Sequence, residues 1–201
     1  ESGWYVLGNE VKHFEEQWSR VCGVSHGIGV GNGMDAIELA LLGLSIGAGD
    51  EVITTPMTAF ATILAIIRCG AKPVLADIDS ETALLSTESV RRCLSAKTKA
   101  VVLVHLYGQV RQMDEWVIMC GENKIMLIED CAQAHQATWQ GKVSGSFGQA
   151  GAYSFYPTKN LGAVGDAGML VTSNSTLAKK ARQLRNYGQS ERYLHPVIGM
   201  N

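Results

Sequence analysis

Lys99-Ala100-Val101-Val102-Leu103-Val104 and Ile125-Met126-Leu127-Ile128-Glu129-Asp130 are two short apolar runs separated by a segment, 113–122, whose apolar residues return at helical spacing. A strand, a helix and a second strand in that order predict a βαβ unit, and with it a mostly parallel sheet. The pattern repeats outward in both directions. Upstream lie a helix over about 9–21, a short strand at 27–31, a helix over 35–45, a strand at 51–54, a helix over 58–69, a strand over 72–77 and a helix over 87–95. Downstream, Ala150–Phe155 and Gly168–Thr172 read as two more strands, and a helix over 175–186 closes the series. The expected fold is α/β, a three-layer structure with a mostly parallel sheet flanked by helices. No internal repeat, low-complexity tract or linker interrupts it.

At 201 residues and 46% hydrophobic content, the chain can bury a full core. Its net charge of −2, with Lys and Arg scattered, lacks the electrostatic footprint of a nucleic-acid binder, so no nucleic-acid partner is expected. No apolar stretch reaches the roughly 20 residues of a membrane helix and no signal-peptide pattern is seen, which predicts a cytoplasmic protein with no membrane partner. The five cysteines are odd in number and form no C-x-x-C pair, so they read as reduced thiols, Cys131 among them as a small buried residue. His13, His26, His105 and His195 show no metal-ligand spacing, and no metal site is expected. A start at Glu1 and a stop at Asn201 in a loop-like stretch predict a fragment of a longer protein.

The chemistry concentrates around Ser154-Phe155-Tyr156-Pro157-Thr158-Lys159-Asn160-Leu161-Gly162. A lysine in a turn-rich segment between apolar runs can lose hydration, which favours the neutral amine that attacks a carbonyl. Upstream, Asp130 closes a buried strand. There a carboxylate can meet the ring nitrogen of pyridoxal 5′-phosphate and keep it protonated, although a helix N-cap or structural acid is the plainer reading of Asp130 alone. Gln133 stands one helical turn on, where its amide can donate to the cofactor's phenolic oxygen. Gly31-Asn32-Gly33-Met34-Asp35 joins a strand to a helix start, either as an ordinary βα turn or as an anion site. In the second case the Asp35 carboxylate turns away and only its backbone amide donates. Phe60 is either a ring-stacking or a core aromatic, Ser154 either a phosphate ligand or a satisfied strand-edge serine, and His135 either a substrate contact or a turn cap. In an open α/β sheet these regions meet on one rim, outside the carboxyl ends of the strands.

With Ser2-Gly3-Trp4-Tyr5, Gly31 to Ala36, Gly49-Asp50-Glu51-Val52-Ile53, Glu129 to His135, Ser154 to Gly162 and Leu184-Arg185-Asn186-Tyr187-Gly188, the chain resembles the DegT-type pyridoxal-phosphate-dependent nucleotide-sugar aminotransferases of fold type I. The resemblance runs almost end to end. It implies that residues 1–201 are a large cofactor-binding domain, without the family's N-terminal segment and small C-terminal domain. It further implies Lys159 as the catalytic lysine that binds the cofactor aldehyde, Asp130 on the ring nitrogen, Gln133 on the ring oxygen and Phe60 on the ring face. Gly33, Met34, Asp35 and Ser154 would hold the phosphate, and Asn201 would reach the phosphate of the second subunit in a homodimer with shared active sites. Met34 departs from the Thr or Ser of many members, and Gln149 and Ala167 from an Asp and a Gly.

The implied activity is a ping-pong transamination from L-glutamate, or glutamine, to a nucleotide-linked keto-sugar. Alternatives on the same scaffold are an aminocyclitol aminotransferase, a dehydratase, or a regulatory module without turnover. Sugar dehydratases of this group carry His at the lysine position, so Lys159 counts against that version.

Overall fold

The computed structural model describes residues 3–201; Ser2, in the N-terminal motif, lies outside the described residues. The elements are α1 (Asn9–Cys22), β1 (His26–Val30), α2 (Gly33–Gly43), β2 (Glu51–Thr54), α3 (Phe60–Arg68), β3 (Lys72–Leu75), α4 (Thr87–Cys93), β4 (Thr98–Val104), α5 (Met113–Glu122), β5 (Met126–Asp130), β6 (Thr138–Trp139), β7 (Lys142–Val143), β8 (Ala150–Ser154), β9 (Gly168–Thr172) and α6 (Ser175–Leu184). Seven strands form one sheet in the order β1-β9-β8-β5-β4-β2-β3. β9 alone runs against the others, pairing antiparallel with both β8 and β1.

Period-2 alternation along the central strands builds the three layers. Ala100 and Val102 of β4 and Ile128 of β5 pack with α2, α3 and α6 on one face. Val101, Leu103 and Leu127 pack with Val90 of α4 and Met113, Trp116 and Met119 of α5 on the other. On that second face, Trp18 and Cys22 of α1 cover Tyr153, Met169 and Val171. Burial on both faces is why β4 and β5 read as continuous apolar runs rather than alternating ones. Among the described residues no helix is long and apolar enough to cross a membrane.

Several boundaries differ from the sequence reading, each for a local reason. α2 begins at Gly33, two positions before Asp35, because Asn32 caps it with its side-chain oxygen on the Asp35 amide. β3 ends at Leu75, after which Asp79 accepts the amides of Glu81 and Thr82 in a tight turn. α4 stops at Cys93 because Leu94 turns extended, and the Ser95 amide then bonds Thr98 Oγ1. α6 stops at Leu184, where the Leu184 carbonyl accepts from Met200 instead of continuing the helix. The β6–β7 hairpin was not foreseen; Gln140 and Gly141, at φ 50° and 77°, form the left-handed pair that such two-residue turns require.

Candidate active site

Asp130 ends β5 and faces the α2–α3 side of the sheet, whereas the preceding Glu129 faces the other side. The Asp130 carboxylate is buried. Its Oδ2 accepts from Thr62 Oγ1 of α3 at 2.8 Å and its Oδ1 from the Ala132 amide at 3.1 Å. Thr62 is itself 2.8 Å from Thr58 Oγ1. Neither threonine was singled out from the sequence, where their i,i+4 spacing was the available signal.

Glu129 organises the opposite face. It is fully buried and accepts the amides of Gly145 (2.7 Å), Phe147 (2.7 Å) and Gly148 (2.8 Å), with His105 Nε2 at 2.9 Å. Among the described residues, ligand atoms of His105, Glu129 and Cys131 lie within 4.8 Å of one another, a grouping their spacing did not suggest. The donors already filling the Glu129 oxygens mark it as a hydrogen-bond hub. Burial, reinforced by Glu129 and Asp130, pushes the Cys131 thiol well up, away from the thiolate a metal needs.

Beyond β8, the loop carrying Lys159 is pinned at its base. The Phe155 amide donates to Ala167, and the Ala163 amide to Phe155, at 2.8 and 2.7 Å. Lys159 is half-buried, and no hydrogen bond or ion pair holds its amine among the described residues. It lines a cleft of about 510 Å³ with Gln133, His135, Tyr107, Thr158 and Asn160. Gln133 Oε1 accepts the Tyr107 amide at 2.9 Å, which leaves the Gln133 NH₂ group for another partner. His135 packs on Trp18, Tyr153 and Phe155, and its Nε2 lies 2.9 Å from the Ser154 carbonyl, to which it donates. Burial lowers its pKa, the Ser154 and Asn160 contacts oppose the shift, and nearby Lys159 adds to it. The ring is a neutral buttress of the lysine loop rather than a turn cap.

The remaining residues lie along the same rim. Gly33 abuts Ser154 so closely that a Cβ on it would stand 2.7 Å from the Ser154 Cβ. Ser154 is buried, and its Oγ takes the Tyr156 amide at 3.3 Å. Met34 is half-buried against the α2–α3 core. The Asp35 amide, expected as a phosphate donor, is already committed to Asn32 Oδ1 at 2.9 Å, which leaves Gly33 and Met34 as the first-turn donors without intrahelical acceptors. Burial raises the Asp35 carboxyl's pKa against the pull of Arg68 and Asn32, and Asp166 adds to the rise. Phe60 opens α3 at 66% exposure, so it is not a core aromatic. Asn201 bonds Tyr187 and borders a second, largely apolar groove with Gly31, Asp35 and Met200, whose lining shares no residue with the lysine cleft.

A mostly parallel sheet between helix layers, with a lysine loop and an acidic strand end on its carboxyl rim, defines the α/β architecture of fold type I aminotransferases. The chain belongs to the DegT/DnrJ/EryC1/StrS aminotransferase family, which matches residues 1–201. It is 46% identical over 197 residues to a Pleiotropic regulatory protein of Geobacillus stearothermophilus, covering 98% of this chain and 53% of that one. It is 44% identical over 192 residues to the dTDP-3-amino-3,4,6-trideoxy-alpha-D-glucose transaminase of Micromonospora megalomicea subsp. nigra, covering 96% and 51%. The crystal structure of S. venezuelae DesV in complex with a ketimine intermediate superposes with a TM-score of 0.96 at 41% identity, over 100% of this chain and 54% of that one. The chain thus spans about half the length of the curated relatives it matches.

Proposed function

We infer that the whole protein is a pyridoxal 5′-phosphate-dependent aminotransferase that moves the amino group of L-glutamate, or glutamine, to a nucleotide-linked keto-sugar. One observation carries the reading: the Lys159 amine and the Gln133 amide line a single cleft at the end of the strand that closes on buried Asp130. The transaminase activity named for the Micromonospora relative supports the nucleotide-sugar substrate.

The donor set fits the cofactor. An aldehyde needs a free amine, which Lys159 has, and a phenolic oxygen needs a donor, which the NH₂ of Gln133 offers. Asp130 retains accepting capacity on both oxygens, and the first amides of α2 stand beside Ser154 for a phosphate. When bound, the cofactor supplies a sink for the electron pair left as the donor's α-proton departs.

The chain's own residues do the rest. In each half of the reaction Lys159 Nζ would move one proton between two carbons: from the donor's α-carbon to the cofactor's carbonyl carbon, and then from that carbon to the sugar carbon that receives the amine. The Asp130 carboxylate would hold a proton at the ring nitrogen, and Phe60 would cover the ring face. Ser154 and the Gly33 and Met34 amides bind the phosphate, while Asp35 acts through the capped turn. Release of 2-oxoglutarate before the keto-sugar enters gives ping-pong kinetics. In a homodimer, Asn201 completes the phosphate site of the second subunit.

The name of the Geobacillus relative favours a second reading, a regulatory protein that keeps the fold without turnover. The test is to load the whole protein with cofactor and follow formation of 2-oxoglutarate from L-glutamate, then consumption of a dTDP- or UDP-linked keto-sugar. Stoichiometric 2-oxoglutarate that disappears in Lys159→Ala supports transamination. Turnover retained in Lys159→Ala would overturn the lysine's role, and no 2-oxoglutarate from the wild type would favour the regulatory reading.

A further inference from the structure

Thr62 is 1% exposed, and its hydroxyl donates to Asp130 Oδ2 across the α3–β5 contact, 68 residues away in the chain. A threonine hydroxyl carries one proton. Because Thr62 spends its proton on Asp130, the 2.8 Å contact with Thr58 must run from the Thr58 hydroxyl to Thr62 Oγ1. The result is a chain of two hydroxyls, both pointing toward one buried carboxylate, in which each bond polarises the next. The Ala132 amide holds the other carboxylate oxygen from the strand's own turn. Asp130 is therefore gripped from two sides, one of them belonging to a separate helix.

We propose that Thr62, relayed by Thr58, is a positioning residue that fixes the plane of the Asp130 carboxylate toward the cofactor's ring nitrogen. The inference rests on the aminotransferase reading. It assigns to the start of α3 a task besides presenting Phe60: the helix sets the geometry of the group that keeps the ring protonated. Thr62 is buried against the acid, and the half-buried Thr58 aligns with it from one helical turn earlier. Thr62 touches neither cofactor nor substrate on this reading and acts only through Asp130.

The test compares Thr62→Val, Thr62→Ser and Thr58→Val in the whole protein. It measures the dissociation constants of pyridoxal and pyridoxamine phosphates and the pH midpoint of the bound cofactor's absorption. Removing a hydrogen bond to a charged group predicts about a tenfold weaker cofactor complex for Thr62→Val, with a displaced spectral midpoint. Thr62→Ser should return both to within about twofold, since it keeps the hydroxyl. Thr58→Val, at a half-buried site, should shift both in the same direction by about threefold, and it decides the matter if Thr62→Val does not fold. A purely structural threonine would lower the melting temperature and leave the midpoint of the folded, loaded protein unchanged. That outcome, or failure of Thr62→Ser to rescue, overturns the inference. A wild type that binds no cofactor would instead remove the aminotransferase reading beneath it.

Discussion

Gln133 Oε1 accepts the backbone amide of Tyr107 at 2.9 Å, and Tyr107 sits at φ 57°, in the left-handed region that a bulky residue rarely enters. The bond both supports a strained turn and settles which end of the Gln133 amide faces a ligand. Gln133→Glu keeps an acceptor for Tyr107 but loses the NH₂ donor. Its stability should stay within about 0.5 kcal/mol of wild type, while cofactor affinity falls at least about tenfold as a carboxylate opposes the phenolic oxygen. Gln133→Ala loses both functions and should cost about 1 kcal/mol besides. Denaturant melts and cofactor titrations separate the two effects; equal affinity in Gln133→Glu would remove Gln133 from the ring oxygen.

Glu129 satisfies the amides of residues 145, 147 and 148 and also His105, all out of solvent. Truncation to Ala strands several buried donors, each costing about 1–3 kcal/mol, so Glu129→Ala should lose more than about 4 kcal/mol. Glu129→Gln keeps one acceptor and turns an NH₂ toward existing donors, for an intermediate loss of about 2 kcal/mol. Urea melts check the order. If Ala proved milder than Gln, the hub would not be holding the 145–148 loop.

The fold was legible because β4 and β5 are buried on both faces, a condition that leaves a local, one-dimensional trace in residue type. Lys159, Asp130 and Gln133 could be put forward from the sequence as candidates for a similar reason, since their types and spacing stand within single loops or turns. Thr62 was not legible: its partner lies on another strand, and nothing in Phe60-Ala61-Thr62-Ile63 says which strand end the helix will cross. The Asp35 amide failed for the opposite reason. Asn32 and Asp35 carry a capping pattern, and the Asn32 side-chain oxygen takes the Asp35 amide before an anion can. Glu129 reads as half of a Glu-Asp pair until period-2 geometry sends the two carboxylates to opposite faces.

At Gly168 a Cβ would stand 2.3 Å from the carbonyl carbon and oxygen of Asn32 and 2.8 Å from the Gly33 amide nitrogen. All three are backbone atoms, so β9 or the start of α2 must move. Gly168→Ala should therefore cost about 2–3 kcal/mol and weaken cofactor binding by displacing the Gly33 and Met34 amides from Ser154. Gly121→Ala in α5 is the matched control, with open space around the added methyl, and should stabilise by up to about 1 kcal/mol. Unchanged cofactor affinity in Gly168→Ala, measured alongside stability, would separate the α2 turn from the phosphate.

Burial pushes the thiol of Cys22 up to about 11 and that of Cys120 up to about 12, and it raises Cys69 and Cys131 as well. The half-buried Cys93 is the remaining thiol. Iodoacetamide at pH 8 should label Cys93 in the native protein within the time needed to label all five cysteines in urea, with the other four protected by both burial and protonation. Mass spectrometry of the labelled peptides reads this directly. Labelling of Cys131 before unfolding would mean that the end of β5 opens.

Glu15 of α1 ties three elements together. Its Oε1 accepts the Gly29 amide of β1 at 2.8 Å and also Arg185, and its Oε2 accepts Arg182 of α6 at 2.7 Å. The two arginines continue to the carbonyls of Gly27 and Gly29 at 2.7 and 2.8 Å, which seals the edge strand against both helices. Burial alone would raise the Glu15 pKa; the bonds from Arg182, Gly29 and Arg185 outweigh it and leave the pKa below the ordinary 4.5. A carboxyl depressed in the folded state contributes its full stability above the unfolded value and loses it as pH falls through the folded one. Glu15→Gln should cost about 2–3 kcal/mol at pH 7, because Arg185 is left buried beside a neutral group. The difference from wild type should stay constant down to about pH 5 and then shrink steadily below the ordinary carboxyl pKa, as wild-type Glu15 is protonated as well. Urea melts of the two proteins between pH 7 and pH 3 measure it, and a gap that held constant to pH 3 would show that the clamp does not depend on the charge of Glu15.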